Sequence, residues 1–167
     1  MAPPRVYADA TTLIGLARLD RLDLLTLFPT PILVTTVVWR EVAYDQSKPG
    51  VAALYRARAE QLLEVVAEGD PEAFPDLDRG ESTVLSAAAV ARAAVLIDER
   101  KARILIQTDD RLKSSIPQFT GIIGLLLLAK RRGRIATVRP DLDQLIQQNF
   151  WISPSFYQQI LQHAGEE

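Results

Sequence analysis

The stretch VYADATTLI, residues 6–14, places a carboxylate where an apolar segment gives way to a helical pattern. Residues 6–8 form a short apolar run that is typical of a buried strand, and Asp9 follows it directly. The apolar residues after Asp9 recur at helical spacing, with a break near residues 19–20. Asp9 is therefore expected at the carboxyl end of a strand, where it either caps the following helix or belongs to a site.

Strand-like and helix-like segments alternate along the rest of the chain. Three more buried strands are predicted at residues 32–34, 63–66 and 94–97. Helical patterns separate these strands, and two amphipathic helices at about residues 141–148 and 154–164 close the chain. This alternation predicts βα crossovers, and hence an α/β fold with a mostly parallel sheet that is covered by helices on both faces.

The composition limits the chemistry that the chain can perform. Its 167 residues suit one domain, residues 1–167, in which about residues 135–167 form a helical extension packed on the rest. The sequence has no cysteine, and His163 is its only histidine. Thiolate metal sites, disulfides and histidine-based zinc sites or triads are therefore excluded, and catalysis would rely on carboxylates, hydroxyls, amines or a bound ion.

The charge and the apolar runs limit the partners. A formal net charge of −2 gives no general attraction to nucleic acid, so any such binding requires a local basic patch. The apolar runs are far shorter than the roughly 20 residues needed to span a bilayer. The first residues also lack the cationic leader and apolar segment of a signal peptide. We therefore expect a cytoplasmic protein without a membrane partner.

Four carboxylates occur at positions that the predicted fold would bring to one edge of the sheet. Asp9 and Asp98 each follow a strand, and the carboxyl ends of parallel strands share an edge. Glu81 lies in the first turn of the helix that leads into the Asp98 strand, so an antiparallel helix would return it to that edge. Glu41 lies on the helix after the second strand, within WREVA.

Clustered carboxylates favour a hard cation. Two like charges about 4 Å apart repel by about 4 kcal/mol at an effective dielectric constant of 20. Magnesium or manganese removes this repulsion by accepting a shell of carboxylate and water oxygens. Such an ion can activate water and neutralise charge on a phosphodiester, so the pattern indicates metal-dependent phosphodiester hydrolysis.

Each of these acids also has a purely structural interpretation. Asp9 and Asp98 are each placed to cap the helix that follows, and Glu41 is placed to be a solvated helix residue. Glu81 fits a capping box with Asp78, three residues earlier. The structural interpretations need four separate coincidences, whereas a metal site needs one cause.

At these residues the chain resembles the PIN-domain superfamily, which includes the VapC-like toxin ribonucleases. The resemblance is closest to an uncharacterised prokaryotic PIN-like family. It rests on ADATTLIGLARLDRLDLL, WREVA, LDRGESTVLSAAAVARAAVLIDERKAR and FTGIIGLLLLAKRRGRI, and it extends through the C-terminal segment to cover nearly the whole chain. It implies a three-layer α/β/α fold with extra C-terminal helices. It also implies that Asp9, Glu41, Glu81 and Asp98 are the catalytic and metal-binding acids, with Thr11 supporting the first of them.

Two departures from the family pattern concern the first and the last acid. Ala10 stands where family members often have serine or threonine directly after the first acid. The segment ILIQTDDRL offers Asp109 as an alternative fourth acid. One helix and a short strand lead from Glu81 straight to Asp98, whereas Asp109 requires an additional element. We therefore expect Asp98 to be the fourth acid and keep Asp109 as the alternative.

The resemblance implies an endoribonuclease that uses Mg²⁺ or Mn²⁺ and is the toxin of a type II toxin–antitoxin pair. It implies an RNA substrate, a small antitoxin partner and a possible homodimer. Arg100, Lys101 and Arg103 follow the fourth acid and are candidate phosphate contacts, although a solvated helix face explains them as well. The alternative function is a catalytically inactive PIN-fold binding or regulatory module. A phospho-acceptor signalling domain is disfavoured because the sequence offers no convincing candidate for the lysine that such a domain needs after a late strand near its acids.

Overall fold

The protein, described here from a computed structural model over residues 4–167, contains two compact units. The first unit ends at Gly121, and the second runs from Ile122 to Glu167. The helical extension that was expected from about residue 135 thus falls within a unit that begins at Ile122. No described helix has the length and apolarity that crossing a membrane would require.

The first unit is built on a parallel five-stranded sheet. Its strands are β1 (Val6–Ala8), β2 (Ile32–Thr35), β3 (Leu63–Val66), β4 (Ala94–Leu96) and β5 (Phe119–Thr120), in the order β3-β2-β1-β4-β5. Every neighbouring pair of strands is parallel. All the carboxyl ends therefore lie at one edge of the sheet, as the sequence predicted.

Helices connect the strands and lie on both faces of the sheet, which confirms the predicted α/β architecture. The helices of this unit are α1 (Ala10–Arg18), α2 (Thr36–Ala43), α3 (Val51–Ala59), α4 (Arg79–Ala91), α5 (Arg100–Thr108) and α6 (Asp110–Ser115), with a 3₁₀ helix at Leu22–Leu27. The second unit contains α7 (Ile122–Arg131), α8 (Arg139–Gln147) and α9 (Pro154–Ala164).

The order of the strands creates a switch point beside β1. From β1 the chain moves outward through β2 and β3, then returns in α4 to place β4 on the other side of β1. At such a point the connections leave neighbouring strands in opposite directions and open a crevice at the carboxyl ends. Asp9 follows β1 and Asp98 lies two residues beyond β4, so both line this crevice.

Two elements differ from the sequence expectation. The sequence analysis predicted neither the helix at residues 110–115, α6, nor the strand at residues 119–120, β5. Asp109 explains the first difference, because its side chain accepts hydrogen bonds from the amides of Arg111 and Leu112 and so starts a new helix directly after α5. A strand of two residues is too short to leave a periodic pattern in the sequence.

A carboxylate near the C-terminus ties the second unit together. Val138, the residue before α8, has no side-chain cap of its own. The Glu166 carboxylate caps the helix instead, because it accepts hydrogen bonds from the amides of Val138 and Arg139, at 2.8 and 3.2 Å. It also pairs with Lys130 Nζ at 2.9 Å. Burial alone would raise the pKa of Glu166, but these hydrogen bonds lower it overall.

We predict that Glu166→Ala lowers the free energy of unfolding by about 1–3 kcal/mol, because it leaves two amides and a half-buried ammonium group without their acceptor. Urea unfolding at pH 7 measures this. Glu167→Ala, which removes the same charge from an exposed position, is the control and should change stability by less than about 0.5 kcal/mol. The lowered pKa means that the Glu166 contribution is present above about pH 4.5 and is lost as the pH falls through the folded-state pKa.

Candidate active site

Asp9 and Asp98 lie side by side at the carboxyl ends of β1 and β4, joined by Thr12. The Thr12 amide donates to Asp9 Oδ1 at 2.8 Å, and the Thr12 hydroxyl donates to Asp98 Oδ2 at 2.6 Å. The Asp98 amide donates to Asp9 Oδ2 at 3.4 Å. One threonine thus holds both carboxylates, and the pair forms the centre of the candidate site.

The register of the sheet explains why these two acids meet. Ala8 is paired with Leu96, and the Asp9 amide continues the ladder by donating to the Leu96 carbonyl at 2.9 Å. The chain then turns into α1, with Asp9 as the N-cap. Capping occupies Asp9 Oδ1 but leaves the carboxylate facing Asp98, so the capping and site interpretations of Asp9 are compatible.

The environment of Asp9 disfavours its negative charge. Asp9 is 1% exposed, and this burial raises the pKa of its carboxyl group to about 6. The hydrogen bonds from Thr12 act in the opposite direction, and the charge of Asp98 raises the pKa further. A cation bound beside Asp9 would stabilise the ionised carboxylate, and so offset both the cost of burying its charge and its repulsion by Asp98.

Glu81 lies at the start of α4, in reach of the Asp9 charge. It forms the predicted capping box with Asp78: the Glu81 amide donates to Asp78 at 2.7 Å, and the Asp78 amide donates to Glu81 at 3.2 Å. Burial, together with the charges of Asp78, Glu99 and Asp9, raises the pKa of Glu81 to about 7. The helix therefore returns this acid to the carboxyl edge of the sheet, as its antiparallel packing predicted.

Glu41 reaches the same helix end from α2. Its side chain is exposed, but its carboxylate accepts a hydrogen bond from the Gly80 amide, next to Glu81. Burial and the charge of Asp78 raise the pKa of Glu41. Glu41 is thus linked to the centre through the first turn of α4, whereas Asp9 and Asp98 contact each other directly.

Sequence reasoning missed two residues of this site. Thr11, which was expected to support Asp9, is exposed, whereas the neighbouring Thr12 is buried and contacts both Asp9 and Asp98. A signal existed, because a capping aspartate binds the amide three residues later, and that residue is Thr12. Glu99 is the second: it caps α5 by accepting from the Ala102 amide at 2.8 Å, and its charge acts on Glu81.

The alternative acid Asp109 lies elsewhere. It caps α6 with its side chain, and the whole of α5 separates it along the chain from Asp98. Of the candidate phosphate contacts, Arg100 and Lys101 are exposed in the first turn of α5, directly after Glu99. The guanidinium group of Arg103 instead lies over the Phe119 ring, 5.4 Å from its centre.

The donor set fits a hard divalent cation that is held by few protein ligands. Within residues 4–167, no three acidic or histidine side chains converge into a group that could hold a metal ion among them. Magnesium usually binds through one or two carboxylates and keeps several waters, so the Asp9–Asp98 pair provides the number and type of ligands that it requires. The raised pKa of Asp9 agrees with this, since burial disfavours its ionised form and a bound cation would favour that form.

Comparison with known proteins identifies the type of domain. A family model described as a PIN domain matches residues 5–166, nearly the whole chain. This match confirms the resemblance that the sequence motifs indicated. No significant match was found among curated proteins or among solved structures.

We predict that the metal-free protein becomes less stable as the pH rises from about 4 to 7, and that Asp9→Asn removes part of this dependence. The folded-state pKa of Asp9, about 6, lies above the unfolded value near 3.9, so the folded state holds its proton longer and loses that advantage as the pH rises. The difference in unfolding free energy between Asp9→Asn and the parent should grow across this range to about 2–3 kcal/mol in favour of the variant.

The measurement is urea unfolding in a chelator at several pH values. Asp76→Asn removes the same charge from an exposed loop position, and it should follow the parent at every pH. An Asp9→Asn curve parallel to that of the parent would contradict the burial of an ionised Asp9.

Proposed function

The chain belongs to the PIN-domain family, and from this premise we propose that it is an endoribonuclease that requires Mg²⁺ or Mn²⁺ and acts as the toxin of a toxin–antitoxin pair. PIN domains are generally nucleases, and they typically use divalent metals. The observation that supports the proposal most strongly is the placement of Asp9 and Asp98 side by side at the switch point of the sheet, where the Asp98 amide donates to the Asp9 carboxylate and Thr12 contacts both acids.

In the proposed site, Asp9 and Asp98 hold the ion. Thr12 keeps both carboxylates in place through its amide, which donates to Asp9, and its hydroxyl, which donates to Asp98. Glu81 and Glu41 extend the negative field on the side of α4 and can orient water around the ion. When bound, the ion supplies an activated water and neutralises charge on the phosphodiester.

We propose that two exposed cations contact the substrate. Arg100 and Lys101 lie in the first turn of α5, directly after Asp98 and Glu99, where they can contact phosphates that flank the scissile bond. Arg103 is a weaker candidate because its guanidinium group covers the Phe119 ring. The preference for RNA over DNA rests on the family resemblance.

The proposed biological context also rests on the resemblance. We expect a small antitoxin protein as the partner, a possible homodimer, and a cytoplasmic location. The gene beside this one is the simplest test of the partner. A short neighbouring reading frame that encodes a DNA-binding protein, and that copurifies with this chain when the two are coexpressed, would support the toxin assignment.

We predict that Asp9→Asn and Asp98→Asn each reduce manganese-dependent cleavage of a generic RNA by at least about 100-fold, because each removes one of the two charged ligands. The assay follows fluorescent RNA with and without EDTA. Asp109→Asn is the matched control, since it removes the same charge at another helix cap and should keep parental activity. Full activity in Asp98→Asn and a loss in Asp109→Asn would instead assign the fourth acid to Asp109.

The same assay distinguishes the inactive-module alternative. A parent protein that shows no calorimetric binding of millimolar Mn²⁺ and no cleavage would favour a PIN-fold binding module. The absence of a convergent group of three acids within residues 4–167 is the observation that keeps this alternative open.

We further predict that Thr12→Val weakens manganese binding about 10-fold or more, because valine has the shape of threonine but cannot donate to Asp98. Thr11→Val makes the same chemical change one residue earlier, at an exposed position, and should bind manganese like the parent. Isothermal titration with MnCl₂ measures both variants. An equal loss in the two variants would show that the Thr12 hydroxyl has no special part in the site.

A further inference from the structure

Gly80 lies against the carboxylate of Glu41. A Cβ atom at position 80 would lie 2.5 Å from Glu41 Oε1, closer than such atoms approach, and 3.0 Å from Glu41 Cδ. The Gly80 amide donates to the same carboxylate. The missing side chain thus provides the space in which the Glu41 carboxylate rests on the first turn of α4.

The backbone at Gly80 is held in place from its other side. The Thr83 hydroxyl donates to the Gly80 carbonyl at 2.6 Å, and the Thr35 hydroxyl lies 2.8 Å from that of Thr83. Because Thr83 uses its only hydrogen on Gly80, Thr35 must be the donor to Thr83, and it accepts in turn from the Val38 amide at 3.2 Å. This buried chain links the start of α2 to the start of α4, so a side chain at position 80 would displace Glu41 and not the helix.

Gly121 likewise lies against the carboxylate of Asp98. A Cβ atom there would lie 2.2 Å from Asp98 Oδ1 and 2.8 Å from its Cγ. The residue before it, Thr120, is fixed in β5 by its carbonyl, which accepts from the Ile97 amide at 2.7 Å. Asp98 is short and is also held by Thr12, so its carboxylate can give way only by breaking that hydrogen bond.

Backbone conformation does not explain either glycine. Neither has a positive φ angle, whereas Gly133 and Gly165 have φ values of 72° and 71° and open space around them. Gly80 lies inside a helix, where alanine is favoured over glycine by up to about 1 kcal/mol. The reason for glycine at positions 80 and 121 lies in what occupies the space beside them.

We propose that Gly80 and Gly121 are positioning residues that set where the carboxylates of Glu41 and Asp98 lie in the site. As a role in catalysis this rests on the proposed function, but the contacts themselves can be tested without any activity. A methyl group at either position moves the acid and leaves its charge and identity unchanged. The two glycines are expected to differ in degree, because Glu41 is long and exposed whereas Asp98 is short and hydrogen-bonded.

The first test is a pair of double-mutant cycles on the thermal unfolding of the metal-free protein. Gly80→Ala should raise the melting temperature by about 2 °C in a Glu41→Ala background, where only helix propensity acts, and should fail to raise it in the parent. Gly121→Ala should lower the melting temperature of the parent by several degrees, and by much less in an Asp98→Ala background. Equal changes in both backgrounds would overturn the proposal.

The second test measures the consequence for the site. Manganese should raise the melting temperature of the parent, raise that of Gly80→Ala by less, and leave that of Gly121→Ala unchanged. Cleavage should fall about 10–100-fold in Gly80→Ala and at least 100-fold in Gly121→Ala. If manganese stabilises the parent and both variants equally, the positioning role is wrong even where the cycles show contact.

The two tests separate this inference from the function on which it rests. A parent that neither binds manganese nor cleaves RNA refutes the proposed nuclease, and the metal-free cycles then decide alone whether the glycines position the two acids. Coupling in the cycles supports the placement in that case, and its absence overturns it.

Discussion

The structure of the candidate site depends on one arrangement, the placement of Asp9 beside Asp98 at the carboxyl ends of two paired strands. Asp9 and Asp98 follow strands that are paired in register, so the sheet itself brings them together, and Thr12 fixes both with its two donors. Burial raises the pKa of Asp9 to about 6, and the Asp98 charge adds to the effect. The buried position of Asp9 opposes its ionised form, so this carboxylate lowers stability at neutral pH. A bound cation would favour that ionised form, and the arrangement thus agrees with a cation-binding site.

The remaining acids are arranged around this pair by the first turn of α4. This helix leads into β4, so its N-terminus returns to the edge where Asp98 lies, and its capping box places Glu81 there. The same turn accepts Glu41 through the Gly80 amide, and a buried chain of hydroxyl groups joins it to α2. Helix capping and the candidate chemistry thus use the same side chains. That overlap explains why Asp9 and Glu81, considered singly, fitted a structural role in helix capping equally well.

Much of the fold and the centre of the site were predictable because they depend on patterns that lie along the chain. Buried strands appear as apolar runs, and the rule that ligands bind at the carboxyl ends of parallel strands selects Asp9 and Asp98 without any coordinates. The missed features depend on direction in space. The direction in which α1 leaves β1 decides whether Thr11 or Thr12 faces the acids. The role of Gly80 and Gly121 depends on the carboxylates of Glu41 and Asp98, which reach them from distant parts of the chain. Strand β5 has only two residues, too few to show the alternation of apolar and polar residues by which a strand is predicted.

The charge of the site has a consequence for any nucleic-acid substrate. The carboxylates that would bind the ion also repel a phosphodiester backbone, and the formal net charge of −2 offers no general attraction to offset this. Arg100 and Lys101 are the exposed cations that follow the acids directly, and two phosphate contacts are few compared with the six to ten of a tightly bound nucleic-acid complex. Under the proposed function, metal and substrate binding should be coupled, because a cation held by Asp9 and Asp98 would offset the repulsion between these carboxylates and a phosphodiester. The affinity for RNA in the absence of metal is then expected to be weak. Selectivity for a particular RNA would depend on the shape of the site and on a partner, because the net charge of the protein does not attract RNA.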